Sequence, residues 1–171
     1  MVRILVIAFA IVVTQCAITH ADIWQFNVTL NGAQEVPANG SPGTGFATAF
    51  FNDITGSMTI SGTFSGLTAN ASAAHLHGFA PPGVNAGVLI GLTVTPGTSG
   101  TISGAGSINN VGANFANTLG GLTYLNIHNA NFPGGEIRGQ MTNPFSVPEP
   151  GSLAILSLCG MMALVRRKRK N

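Results

Sequence analysis

Apolar and polar residues alternate along several short stretches between positions 22 and 142, and a period of two predicts strands. Trp24, Phe26, Val28 and Leu30 would line one face of a first strand, closed by Asn31-Gly32. The runs Thr44 to Phe51 and Ser57 to Phe64, separated by Asn52-Asp53-Ile54-Thr55-Gly56, predict a hairpin. Val88, Ile90, Leu92 and Val94 alternate in a further strand bounded by Pro96-Gly97. Turn dipeptides break the chain every eight to twelve residues or so, the spacing of a sandwich or barrel. Val111 to Leu119 is the one segment that reads as a short helix, and Asn143-Pro144 to Val147 reads as a linker.

The two ends follow a different pattern. Met1-Val2-Arg3, an apolar stretch from Ile4 to Val13, and Thr19-His20-Ala21 have the order of a signal peptide, which a signal peptidase would remove to leave Asp22 first. At the other end Pro148-Glu149-Pro150 precedes an apolar run from Leu153 to Val165 and the cations Arg166, Arg167, Lys168, Arg169 and Lys170. As a helix that run spans only ~20 Å against a hydrocarbon core of ~30 Å. The cations would stay on the cytoplasmic side and hold the chain as it is exported. The expected organisation is a signal peptide at 1–21, a β-domain at 22–142, a linker with the Pro-Glu-Pro motif at 143–150, and a hydrophobic helix with a basic tail at 151–171.

Charge sharpens this division. Six of the seven basic residues lie in the targeting segments, so the domain keeps only Arg138 against Asp22, Glu35, Asp53 and Glu136, a net charge of −3 with the histidines neutral. A domain with one arginine and no lysine cannot build a phosphate-neutralising stripe, which excludes nucleic-acid binding. It also excludes a P-loop lysine and a Schiff base. Cys16 and Cys159 both fall in the apolar end segments, so the domain has no disulfide, thiolate metal site or cysteine nucleophile. No serine-hydrolase elbow is present. Stability must therefore come from one apolar core.

Two stretches concentrate polar chemistry. In Ala74-His75-Leu76-His77-Gly78, strand geometry puts both imidazoles on one face ~6.6 Å apart and turns Leu76 inward. In Tyr124-Leu125-Asn126-Ile127-His128 and Glu136-Ile137-Arg138-Gly139-Gln140-Met141, the apolar set Leu125, Ile127, Ile137 and Met141 shares one face. If these close as a symmetric hairpin, His128 faces Glu136, Asn126 faces Arg138 and Tyr124 faces Gln140.

The tail resembles a PEP-CTERM sorting signal, with Pro148, Glu149 and Pro150 as the recognition element; the resemblance implies an exosortase-type enzyme as partner and cleavage near the motif. The domain resembles a CHRD domain through Leu30-Asn31-Gly32-Ala33-Gln34-Glu35-Val36-Pro37, Ala74-His75-Leu76-His77-Gly78, Tyr124-Leu125-Asn126-Ile127-His128 and Gly134-Gly135-Glu136-Ile137-Arg138-Gly139-Gln140. The resemblance covers Phe26 to Met141 and implies an all-β, immunoglobulin-like fold, a Greek-key sandwich or barrel faintly like copper/zinc superoxide dismutase. That likeness places His75, His77 and His128 at copper-ligand positions and Arg138 near the position of an anion-guiding arginine. Glu136 would orient His128 from behind. No fourth histidine lies after His77 to bridge a second metal, which argues against dismutase activity.

Two functions fit these observations. One is a non-catalytic module of the cell surface or extracellular matrix, exported, anchored at the membrane and then sorted to the envelope. The other is a copper- or zinc-binding domain centred on His75, His77 and His128, with scope for redox chemistry. Convergence of the three imidazoles on one point separates them.

Overall fold

The structure, a computed structural model, describes residues 23–108 and 111–147. The expected signal peptide, the Pro-Glu-Pro motif and the hydrophobic C-terminal helix lie outside the described residues. Along the chain run β1 (Ile23–Asn31), β2 (Thr44–Asn52), β3 (Ser57–Ser65), β4 (Ala71–Gly78), β5 (Val88–Val94), β6 (Gly100–Ser107), α1 (Val111–Leu119), β7 (Thr123–Asn129), β8 (Ile137–Gln140) and β9 (Phe145–Val147). The strands order as β2-β3-β6-β5-β4-β7-β8-β1, and β1 returns to pair with β2, so eight antiparallel strands close a barrel. In β4, β5 and β6 a meander is followed by β7, which comes back beside β4: a Greek-key path. Between the two expected architectures, the chain takes the barrel.

The period of two explains the interior. Phe26, Val28 and Leu30 from β1, Ala47, Ala49 and Phe51 from β2, and Leu125, Ile127 and Ile137 from β7 and β8 point inward and are buried. Each large side chain so buried contributes about 1.5–3 kcal/mol. Trp24 continues the β1 face but is only partly buried, packing edge-on against Phe115 of α1 with ring centroids 6.1 Å apart. Phe115 also stacks on Phe51, so α1 plugs one mouth of the barrel. In β5 the expected apolar face holds for Ile90, whereas Val88 is 55 % exposed at the strand's start, beside an irregularity in the β4–β5 register.

The stretch expected as a linker contains a strand. β9 pairs with β1 through Ile23↔Val147, Trp24↔Ser146 and Gln25↔Phe145, on the edge of β1 that β8 meets at Asn31↔Arg138. β8 and β9 are thus two pieces of one path along β1. Asn143, at φ +54°, makes the turn between them, a conformation asparagine tolerates better than most residues. Among the described residues no helix is long and apolar enough to cross a membrane.

Candidate metal centre

β4 and β7 place the three histidines. Leu76 is fully buried in the barrel, so His75 and His77 project from its outer face. Across the ladder His75 pairs with Asn126, His77 with Tyr124 and Ala73 with His128, which puts His128 diagonally beside His75. Ring centroids lie 5.5 Å apart for His75 and His77, 4.9 Å for His75 and His128, and 6.0 Å for His77 and His128. One ring nitrogen from each comes within 4.8 Å of the others.

Backbone carbonyls select the tautomers. His77 Nδ1 lies 3.0 Å from the Ala86 carbonyl, and His128 Nδ1 lies 3.0 Å from the Pro133 carbonyl. A carbonyl only accepts, so both Nδ1 atoms carry the proton and both Nε2 atoms present lone pairs. His128 Nε2 receives a hydrogen bond from His75 Nδ1 at 3.0 Å. His77 Nε2 is buried and has no partner among the described residues. Burial lowers the pKa of both rings, against the carbonyl contacts that raise it, and neighbouring histidines push in the same direction as burial. Both are therefore neutral at pH 7, as metal ligands must be.

A stack supports His77 from behind. Its ring lies parallel to Tyr124, at an interplanar angle of 4° and a centroid distance of 4.9 Å. The Arg138 guanidinium carbon lies 3.5 Å from the Tyr124 ring centroid, and the Tyr124 hydroxyl accepts from the Ala86 N–H at 2.9 Å. Arg138, only 1 % exposed, donates to the Val84 carbonyl, Asn85 Oδ1 and Gln140 Oε1. Asn85 in turn donates to the Val36 carbonyl, tying together the two loops that cover this face. Arg138 thus holds the stack together and is not laid open to solvent for an incoming anion. Desolvation lowers its pKa, opposed by Tyr124 and Glu35.

Glu136 departs from its expected role. Its backbone does continue the β7–β8 ladder, donating to the Ile127 carbonyl. Its carboxylate, however, accepts from Ser41 Oγ at 2.5 Å, the Thr68 N–H at 2.8 Å and Asn129 Nδ2. The orienter of His128 is the Pro133 carbonyl. Glu35 is also buried, and desolvation raises its pKa to about 7 against the opposing pull of the Val36 N–H, Arg138 and Asn126. Among the described residues its Oε1 and Asn126 Oδ1 are buried without hydrogen-bond partners, and a proton on the Glu35 carboxyl turns one of its acceptors into a donor. Both residues crowd Gly135, whose φ of +132° and lack of a side chain the packing requires: a Cβ there would lie 2.6 Å from Glu35 Oε1.

The structure thus brings His75, His77 and His128 together, keeps Arg138 behind His77 with the Tyr124 ring between them, and turns the Glu136 carboxylate elsewhere. Sequence reasoning missed the roles of Tyr124, Ala86, Pro133 and Glu35. Tyr124, the single tyrosine of the chain, did carry a signal, since it alternates with His128 on one strand face. The carbonyls carried none.

Neither a curated protein nor a solved structure matches the chain. A family model for the PEP-CTERM protein-sorting motif matches residues 146–170, which makes this an exported protein, anchored at the membrane for recognition by an exosortase-type sorting enzyme. A second model matches residues 26–141, the barrel with all three histidines, and by that match the chain belongs to the CHRD domain family.

Proposed function

We propose that this exported barrel binds one transition-metal ion, copper or zinc, through His77 Nε2, His128 Nε2 and His75 Nδ1, and displays it at the cell surface. The observation that carries this reading is the buried Nε2 of His77, which has no partner among the described residues, on a ring that sets one nitrogen within 4.8 Å of ring nitrogens from the other two histidines. A buried lone pair without a donor is costly, and a cation shared with two further imidazoles satisfies it. The donor set fits the metal: three neutral nitrogens suit copper or zinc, and backbone carbonyls hold two of the rings by their other nitrogens. Binding shifts the His75 proton from Nδ1 to Nε2, so that His75 Nδ1 and His128 Nε2 both offer lone pairs in place of their hydrogen bond. The role is non-catalytic display or sequestration, consistent with delivery by a surface-sorting signal.

The test is titration of the exported chain with Cu(II) and Zn(II), followed by metal analysis and, for copper, electron paramagnetic resonance. About one equivalent should bind, with nitrogen hyperfine structure, and His77→Ala or His128→Ala should weaken binding by more than ~100-fold. Stoichiometric binding unaffected by both substitutions, or no binding at all, overturns the reading.

A further inference from the structure

The outer wall formed by β1, β2 and β9 carries the largest apolar side chains that the barrel leaves in solvent. Phe46, 50 % exposed, stands toward the far end of β1; nearer the chain's exit Phe50 is 39 % exposed, Phe145 48 % and Ile54 50 %. Register brings them together: Gln25 pairs with Phe50 on one side and with Phe145 on the other, so the two rings flank it on one face at ~10 Å. One row further along, Ile23 lies between Asn52 and Val147, and Ile54 stands in the turn after Asn52. The patch therefore lies where the chain leaves the barrel.

The chain beyond that exit identifies the occupant. Only five residues lie between Val147 and Leu153, where the apolar run of the sorting signal starts, and the six steps from one to the other reach at most ~20 Å. Until the signal is processed, this end of the barrel is tied within that distance of the bilayer. Of the charged residues in the described chain, Glu35, Glu136 and Arg138 belong to the far end of β1 and only Asp53 lies here, so contact with lipid would be apolar and not electrostatic. Aromatic and aliphatic side chains of this kind partition into the headgroup boundary.

We infer that this wall is a membrane-docking surface: in the anchored precursor Phe50, Ile54 and Phe145 rest in the interfacial layer of the bilayer and hold the barrel in one orientation. β5, four strands away around the barrel, then faces outward.

The test uses the full chain, with its tail, in nanodiscs of zwitterionic phospholipid that hold one copy each. In a background with Cys16→Ser and Cys159→Ser, an environment-sensitive fluorophore is attached at Ile54→Cys or, on the far wall, at Thr93→Cys. Headgroup-level nitroxide lipid should quench the label at 54 several-fold more than the label at 93, and high salt should not reduce the difference. Phe50→Ser combined with Phe145→Ser should remove most of it while Trp24 emission, a check on folding, stays unchanged. Equal quenching at the two sites, quenching that survives the double substitution, or shielding of position 54 only when discs hold two copies would each overturn the inference, the last by making a second copy the occupant.

Discussion

Two polar clusters lie close together on the barrel, one around Glu136 and one around His77, and they differ in a way that composition does not reveal. The Glu136 carboxylate is fully buried and meets Ser41, Thr68 and Asn129, which tie the loops before β2 and after β3 to the turn between β7 and β8. The histidine cluster has its outward nitrogens anchored on carbonyls, while its inner lone pairs converge and one has no partner among the described residues. A polar group whose bonds are complete is a fastening. A polar group held rigidly with one bond missing has room to take a ligand.

That contrast can be broken by substitution. Removal of the Glu136 side chain in Glu136→Ala strands the Thr68 N–H and the Ser41 hydroxyl, and should cost about 4 kcal/mol of stability in urea unfolding. The protein that remains folded should keep its metal stoichiometry; loss of metal in step with loss of the carboxylate would erase the distinction. Glu35 occupies an intermediate position, because a proton can complete its bonding. Its folded pKa of about 7 lies above the ordinary 4.5, so its contribution to stability is complete below pH 4.5 and is lost as pH rises through 7. Glu35→Gln should therefore stabilise the barrel by about 2–3 kcal/mol at pH 8 and change little at pH 4.5. Melting curves at the two pH values check this, and an equal shift at both would show that the carboxyl is not the titrating group.

The smallest effect tests how the stack serves the site. Tyr124→Phe keeps the ring between His77 and Arg138 but removes the hydroxyl bonded to Ala86, whose carbonyl orients His77. Stability should fall by about 1 kcal/mol, and metal affinity by up to ~10-fold, measured by competition with a chelator. An unchanged affinity would confine the tyrosine to packing.

Most of the barrel could be read in the chain because each strand buries only one face. Phe26, Val28 and Leu30 alternate with residues that meet water, and the Asn52 to Gly56 turn marks its hairpin by composition. The helix at Val111–Leu119 matched its expected span. The three histidines were legible for the same reason, since the period of two assigns their face and the family likeness suggested their convergence. The groups around them were not. Ala86 and Pro133 act through backbone carbonyls, which any residue would supply, and Glu35 and Asn39 reach Asn126 and Glu136 from the far side of a long separation in sequence. Glu136 escapes the alternation because it precedes β8, which starts at Ile137, and its carboxylate turns to Asn129. β9 was hidden because three residues are too few for a period to register.

The match to the sorting motif starts at residue 146, inside β9, and this gives the junction a mechanical character. Because β9 runs antiparallel along β1 and leaves it at Val147, opposite the first residue of β1, a pull directed onward along the chain loads its backbone pairs together in shear instead of opening them one at a time. The barrel therefore resists traction from its tail with all of β9 at once, and tension applied to the exported chain is carried into β1, the strand that closes the barrel.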